Sequence, residues 1–136
     1  MEDEIHGAIN VTSIVEKIRT AFLFEHSLDN FQEINCGWCD LFAQEVLFEL
    51  KGLGFNEMDS HEILMLENEE EDAGIIDEKA VKERYSIEIP PTLINVQIGY
   101  HVWLTDDKKH YDAECPEGVS NMFDLPFFQR YQGRCD

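Results

Sequence analysis

Two periodicities of apolar residues run along the chain, and the change from one to the other divides it. Ile14, Val15, Ile18, Phe22 and Leu23 recur at helical spacing, and Ser13 with Glu16 supplies the capping-box pair expected at the start of such a helix. Leu41, Phe42, Val46, Leu47 and Leu50 form a second, broader apolar face that stops at Lys51-Gly52. Between them lie the polar stretch from Glu25 to Asn35 and the loop Cys36-Gly37-Trp38-Cys39. The spacing predicts two packing helices, the second with Cys39 in its first turn.

From Gly54 to Arg84 the pattern breaks up. A short apolar run (Ile63-Leu64-Met65-Leu66), an acidic run (Glu67, Glu69, Glu70, Glu71, Asp72) and a short helix over Asp77 to Tyr85 read as a variable excursion. After Ile87 the period becomes two, and Leu93 to Ile98, His101 to Thr105 and His110 to Ala113 read as antiparallel strands. Asp106-Asp107-Lys108-Lys109 has the length of a hairpin connection. A tail with Pro116-Glu117-Gly118 ends in Phe123, Leu125, Phe127 and Phe128, which close the core. Helices first and strands later, with no repeat or linker, predict one α+β domain over residues 1–136.

Charge narrows the partners. The 136 residues hold 10 Lys+Arg against 29 Asp+Glu, a net charge of −19, which argues against bare DNA or RNA as a partner. At 43% hydrophobic and 11% aromatic, the chain still has enough apolar surface for a core. No apolar run approaches the roughly 20 residues of a membrane span, and Met1-Glu2-Asp3-Glu4 is the opposite of a basic signal leader, so a cytoplasmic location is expected. There the four cysteines (Cys36, Cys39, Cys115, Cys135) read as thiols or metal ligands rather than as a disulfide framework.

Cys39 stands where a helix N-terminus stabilises a thiolate through free N–H groups and the positive end of the helix dipole. A nucleophile also needs a base, and the base needs an orienting group. With residues 106–109 as the turn, Thr105 faces His110, Leu104 faces Tyr111, and His101 shares a sheet face with Trp103, Asp112 and Glu114. Asp112 is then the diagonal neighbour of His101, roughly 7–8 Å away between backbones, and Glu114 directly opposite is a rival orienting carboxylate. Packing the Cys39 helix on that face brings thiol, imidazole and carboxylate together.

Gly37-Trp38-Cys39-Asp40-Leu41-Phe42-Ala43, then His101-Val102-Trp103 and Tyr111-Asp112, resembles the Cys, His and Asp motifs of transglutaminase-like proteins within the papain-like superfamily. Gln32 followed by Cys36-Gly37-Trp38-Cys39 is also similar to the papain active-site run, in which a Gln helps form the oxyanion hole. The resemblance covers residues 32–50 and 99–114. It implies a papain-like α+β core with the nucleophile helix packed on a small antiparallel sheet, Cys39 as nucleophile, His101 as base then acid, and Asp112 holding the imidazole. Gln32 stands one position further from the cysteine than in papain, so Asn35 is an alternative oxyanion donor beside the Cys39 backbone N–H. The implied chemistry is acyl transfer through a thioester on a peptide, protein or amide substrate, without a cofactor. Release to water makes a peptidase, amidase or deamidase; release to an amine makes a transglutaminase.

Other readings use the same residues differently. Cys36-x-x-Cys39 is a zinc-ligand pair, but Cys115 and Cys135 are too far apart in sequence to form a second knuckle, so no metal is expected. Trp38 and Trp103 line a cleft or pack the core; His6, His26, His61 and His110 show no motif spacing. The acidity itself suggests a basic protein or peptide substrate, or a non-enzymatic inhibitor whose carboxylates replace the phosphates of a nucleic acid.

Overall fold

A computed structural model describes residues 10–66 and 73–132. The acidic run Glu67 to Asp72, His6 and Cys135 fall outside the described residues. The architecture is α+β, with helices gathered in the first part of the chain and a small antiparallel sheet in the second.

Helix α1 (Val11–His26) is capped by Asn10 rather than Ser13: Asn10 Oδ1 accepts the Ser13 N–H at 3.1 Å. An Asn three positions before Ser13 satisfies an amide of the first turn, so the helix gains a turn at its start. Its apolar face, Val15, Ile18 and Phe22, is buried at the predicted spacing. A short helix α2 (Phe31–Ile34), capped by Asn30, leads into α3 (Cys39–Gly52), which buries Cys39, Phe42, Ala43, Val46 and Leu50. Each large side chain removed from water there contributes roughly 1.5–3 kcal/mol.

Strand β1 (Asp59–Glu62) lies within the excursion; β2 (Ala73–Ile75) and helix α4 (Glu78–Tyr85), capped by Asp77, follow. The expected strand over Leu93 to Ile98 contracts to β3 (Gln97–Gly99), because Pro90-Pro91 opens a 3-10 turn over Pro91–Leu93 instead. Strands β4 (Val102–Thr105), β5 (His110–Asp112) and β6 (Cys115–Val119) then join β1 in an antiparallel sheet of order β1-β4-β5-β6, while β2 pairs with β3 separately. Thr105 pairs with His110 and Leu104 with Tyr111, as the hairpin register requires. The turn holds that register through Asp106 Oδ1, which accepts the N–H groups of Lys108 and Lys109 at 3.0 and 2.9 Å. Helix α5 (Pro126–Gln132) closes the described chain.

The central strand β4 is buried on both faces. Val102 and Leu104 share one apolar cluster with α1 and α3, whereas Trp103 joins Ile98, Met122, Phe123, Phe127 and Phe128 in the other. The Cys39 helix therefore covers the face opposite Trp103, which corrects the expected packing. Alternation explains it: the all-apolar pair Val102 and Leu104 matches the broad stripe of α3, while the Trp103 face carries His101 and Asp112 as well.

Gly118 is one position where a side chain is not tolerated. Its φ is +81°, and an added Cβ would stand 2.7 Å from the Tyr111 ring. Gly118→Ala is expected to destabilise the fold by about 1–3 kcal/mol, read as a lower urea midpoint with an unchanged slope; an unchanged midpoint would show that β6 is not anchored through this contact.

Candidate active site

The site forms where three separate segments converge. Cys39 is the first residue of α3, and Trp38 at the N-cap provides no side-chain cap. In the first turn the Asp40 Oδ1 accepts the Leu41 N–H at 2.8 Å. Trp38 N–H donates to Ile34 O at 3.0 Å and Phe42 N–H to Trp38 O at 2.9 Å, which fixes the turn that presents the thiol.

His101 immediately precedes β4 and is fully buried. Its Nε2 lies 3.0 Å from Asp112 Oδ2 on β5, and the second carboxylate oxygen accepts the Glu114 N–H at 2.9 Å, so Asp112 is held at both ends. The imidazole stacks on Phe127 (4.2 Å between centroids, 10° between planes) and on Trp103 (6.1 Å, 27°). With the proton on Nε2 facing Asp112, Nδ1 is the basic nitrogen. Nδ1 has no hydrogen-bond partner, and the Cys39 thiol is close enough to act on the ring. Burial alone would depress the imidazole, but hydrogen bonding to Asp112 and to Cys39, with the charges of both, carries it above its usual value.

Cys39 opens into a cleft of about 540 Å³, lined also by Asn35, Cys36, Gly37, Tyr100 and Phe127. That volume suits a small ligand or one or two side chains of a larger one. Its walls include residues that the sequence pattern did not single out for this role. Tyr100 donates its hydroxyl to Glu62 of β1, and burial together with Glu62 pushes its phenol upward. Tyr131 accepts the Gly99 N–H at 3.0 Å, and Phe127 forms the floor under His101. Tyr100 was legible only as the neighbour of His101, and Phe127 only as a core aromatic.

The supporting residues sort differently from expectation. Gln32 is exposed on α2 and does not line the cleft. Asn35 is 2% exposed and does line the cleft, but its Nδ2 donates to Glu114 Oε1 at 2.9 Å. Glu114 is not a second partner of His101: it also receives Arg130 in a bidentate pair at 2.8 and 2.9 Å, and Asp112 alone orients the imidazole. Trp38 packs on His26 (4.2 Å) and edge-on against Phe22, within the α1–α3 cluster rather than on the cleft wall. Trp103 is 1% exposed and backs the site from behind His101. Among the described residues no group of three or more His, Cys, Asp or Glu is arranged to hold a metal ion.

Beyond Trp103 lies a second polar cluster. Arg84 donates to His61 Nε2 at 3.2 Å, so His61 carries its proton on Nδ1, 2.7 Å from the Tyr85 hydroxyl; Trp103 Nε1 donates to His110 Nδ1 at 3.0 Å. Burial, then the Arg84 charge, lowers His61; burial, then His61, lowers His110. The three histidines therefore act on stability in opposite senses. His101 contributes stability that is full below 6.5 and lost as pH rises through its raised value, whereas His61 and His110 contribute stability above 6.5 that is lost as pH falls. In Asp112→Asn the imidazole of His101 keeps its burial and loses the carboxylate, so its titration, followed by imidazole ¹⁵N resonances, is expected to drop below that of the wild type. A value at or above the wild-type one would show that Asp112 does not set the charge of His101.

No protein-family profile matches the chain, and neither a curated protein nor a solved structure is found to match it.

Proposed function

We propose that the protein is a cysteine-dependent hydrolase or acyltransferase with a papain-like, transglutaminase-like core, acting on a peptide, protein or amide carbonyl. The observation that carries this reading is the grouping of Cys39, His101 and Asp112 from three segments, with Nε2 of His101 at 3.0 Å from Asp112, Nδ1 without a hydrogen-bond partner, and Cys39 close enough to the ring to raise it, at the edge of a cleft.

In this mechanism His101 Nδ1 takes the thiol proton and the Cys39 thiolate attacks the carbonyl carbon. The negative oxygen of the tetrahedral intermediate meets the Cys39 backbone N–H at the start of α3; Gln32 is remote, and Asn35 Nδ2 is already engaged by Glu114. His101 then protonates the departing amine, leaving a thioester on Cys39. Water or a second amine attacks the thioester, with His101 again taking the proton. Asp112 keeps the ring in the required tautomer throughout.

The net charge of −19 plays no part in these steps and is assigned to substrate choice: a basic protein or peptide, in the cytoplasm. No helix among the described residues is long and apolar enough to cross a membrane. Incubation with the nitrophenyl ester of a short acylated lysine peptide is expected to leave one acyl group, mapped by mass spectrometry to Cys39 and absent in Cys39→Ala. Acylation of exposed Cys36 or surface lysines in place of Cys39 would overturn the reading. The same charge supports a second reading, an acidic inhibitor of a nucleic-acid-binding protein; for that function Cys39→Ala would leave partner binding intact, while moderate salt would abolish it.

A further inference from the structure

We propose that Cys36 is a site of reversible oxidative modification, closing on Cys39 as an intramolecular disulfide when a hydroperoxide enters the cleft. The inference rests on the reading of Cys39 as a thiolate nucleophile and adds a role for the second thiol.

Only Gly37 and Trp38 separate the two cysteines, and both thiols line the same cleft. Their burial differs: Cys36 is exposed, while Cys39 is 5% exposed beside His101. Gly37 sits at φ +124° with open space around it, a backbone geometry that lets Cys36 fold back while Trp38 stays pinned on His26. On the other side of Cys36 stands Arg130, held by Glu114 and close enough to feel the charge of the Cys36 sulfur. Cys115 has none of these features: it is buried in β6, and burial, with Glu117 and Asp112, pushes its thiol up to about 11.

The chemistry balances in two steps. The Cys39 thiolate attacks the terminal oxygen of the hydroperoxide, the O–O bond breaks, and the departing alkoxide takes a proton from the His101 imidazolium to leave as an alcohol. Cys39 is then a sulfenic acid, oxidised by two electrons. The Cys36 thiolate attacks that sulfur, the S–O bond breaks, and the hydroxide takes a proton and leaves as water. In sum, two thiols and one hydroperoxide give a disulfide, an alcohol and water. The nucleophile is masked but recoverable by an external thiol, and without Cys36 the sulfenic acid would pass on to the irreversible sulfinic acid.

The test uses the full chain, wild type and Cys36→Ser, exposed to hydrogen peroxide and then to dithiothreitol. Each protein's Cys39 alkylation rate is compared with its own untreated value. The wild type is expected to lose two hydrogen atoms in the peptide holding residues 36 and 39 and to recover fully; Cys36→Ser is expected to gain two oxygens at Cys39 and to recover severalfold less. Equal recovery in both proteins, or a wild-type linkage through Cys115 or Cys135, overturns the proposal. Diamide, which couples neighbouring thiols regardless of their peroxide reactivity, separates the two layers. Linkage with diamide but not with peroxide overturns the thiolate reading of Cys39, and linkage with neither overturns the pairing alone.

Discussion

Replacement of His101 by alanine is expected to slow iodoacetamide alkylation of Cys39 at pH 6.5 by roughly 10²-fold, leaving exposed Cys36 unaffected. The magnitude follows from ionisation. An ordinary thiol is only about 1% thiolate at this pH, whereas a thiol that has passed its proton to an imidazole is mostly ionised. His101 is built for that exchange: Nε2 is occupied by Asp112, Nδ1 has no hydrogen-bond partner, and the ring, with Cys39 near it, is raised despite complete burial. Asp112→Asn removes the carboxylate charge and one of its two acceptors, while the remaining amide oxygen can still accept from Nε2. An intermediate loss of about tenfold is expected there, because the imidazole is no longer raised by the carboxylate charge. Circular dichroism and thermal melts establish that both variants remain folded. If all cysteines react alike in the wild type, or if Cys39 keeps its rate in His101→Ala, the pair is structural and the acyl-transfer reading falls.

What the sequence revealed of this arrangement follows from how local each determinant is. The Thr105–His110 register was readable because a four-residue loop and the two-residue period leave little freedom, and Asp106 fixes the turn by itself. Cys39 at the start of α3 was readable for the same reason, since an apolar stripe has a visible beginning. Strand β1 was not: Asp59-Ser60-His61-Glu62 has no apolar alternation and is a strand only because its backbone pairs with β4. The packing of α3 on the Val102 and Leu104 face was equally hidden, because β4 is apolar on both faces and its sequence does not say which helix covers which. Glu114 and Asn35 illustrate the same limit at the site. Alternation placed Glu114 opposite His101, but Arg130, sixteen residues further on, and Asn35, seventy-nine residues earlier, claim its carboxylate.

Trp103 ties the site to the rest of the core, and its substitution should give the largest stability change. Its indole is 1% exposed, faces His101, His61, Tyr85, His110 and Phe128, and spends its one polar atom on His110. Trp103→Ala removes this packing and leaves a cavity, so urea unfolding is expected to lose about 3–5 kcal/mol, a large share of the roughly 5–15 kcal/mol of an ordinary domain. Trp103→Phe keeps most of the ring area but strips the donor from the buried His110 Nδ1, for an expected loss of about 1–3 kcal/mol. The effect on chemistry should be small in the second variant. Trp103 meets His101 only through ring packing, while the Asp112 hydrogen bond and the Phe127 stack remain, so Cys39 alkylation in Trp103→Phe should stay within about threefold of the wild type, a difference of less than 1 kcal/mol. The reverse result, wild-type stability with lost Cys39 reactivity, would move Trp103 from the core into the cleft.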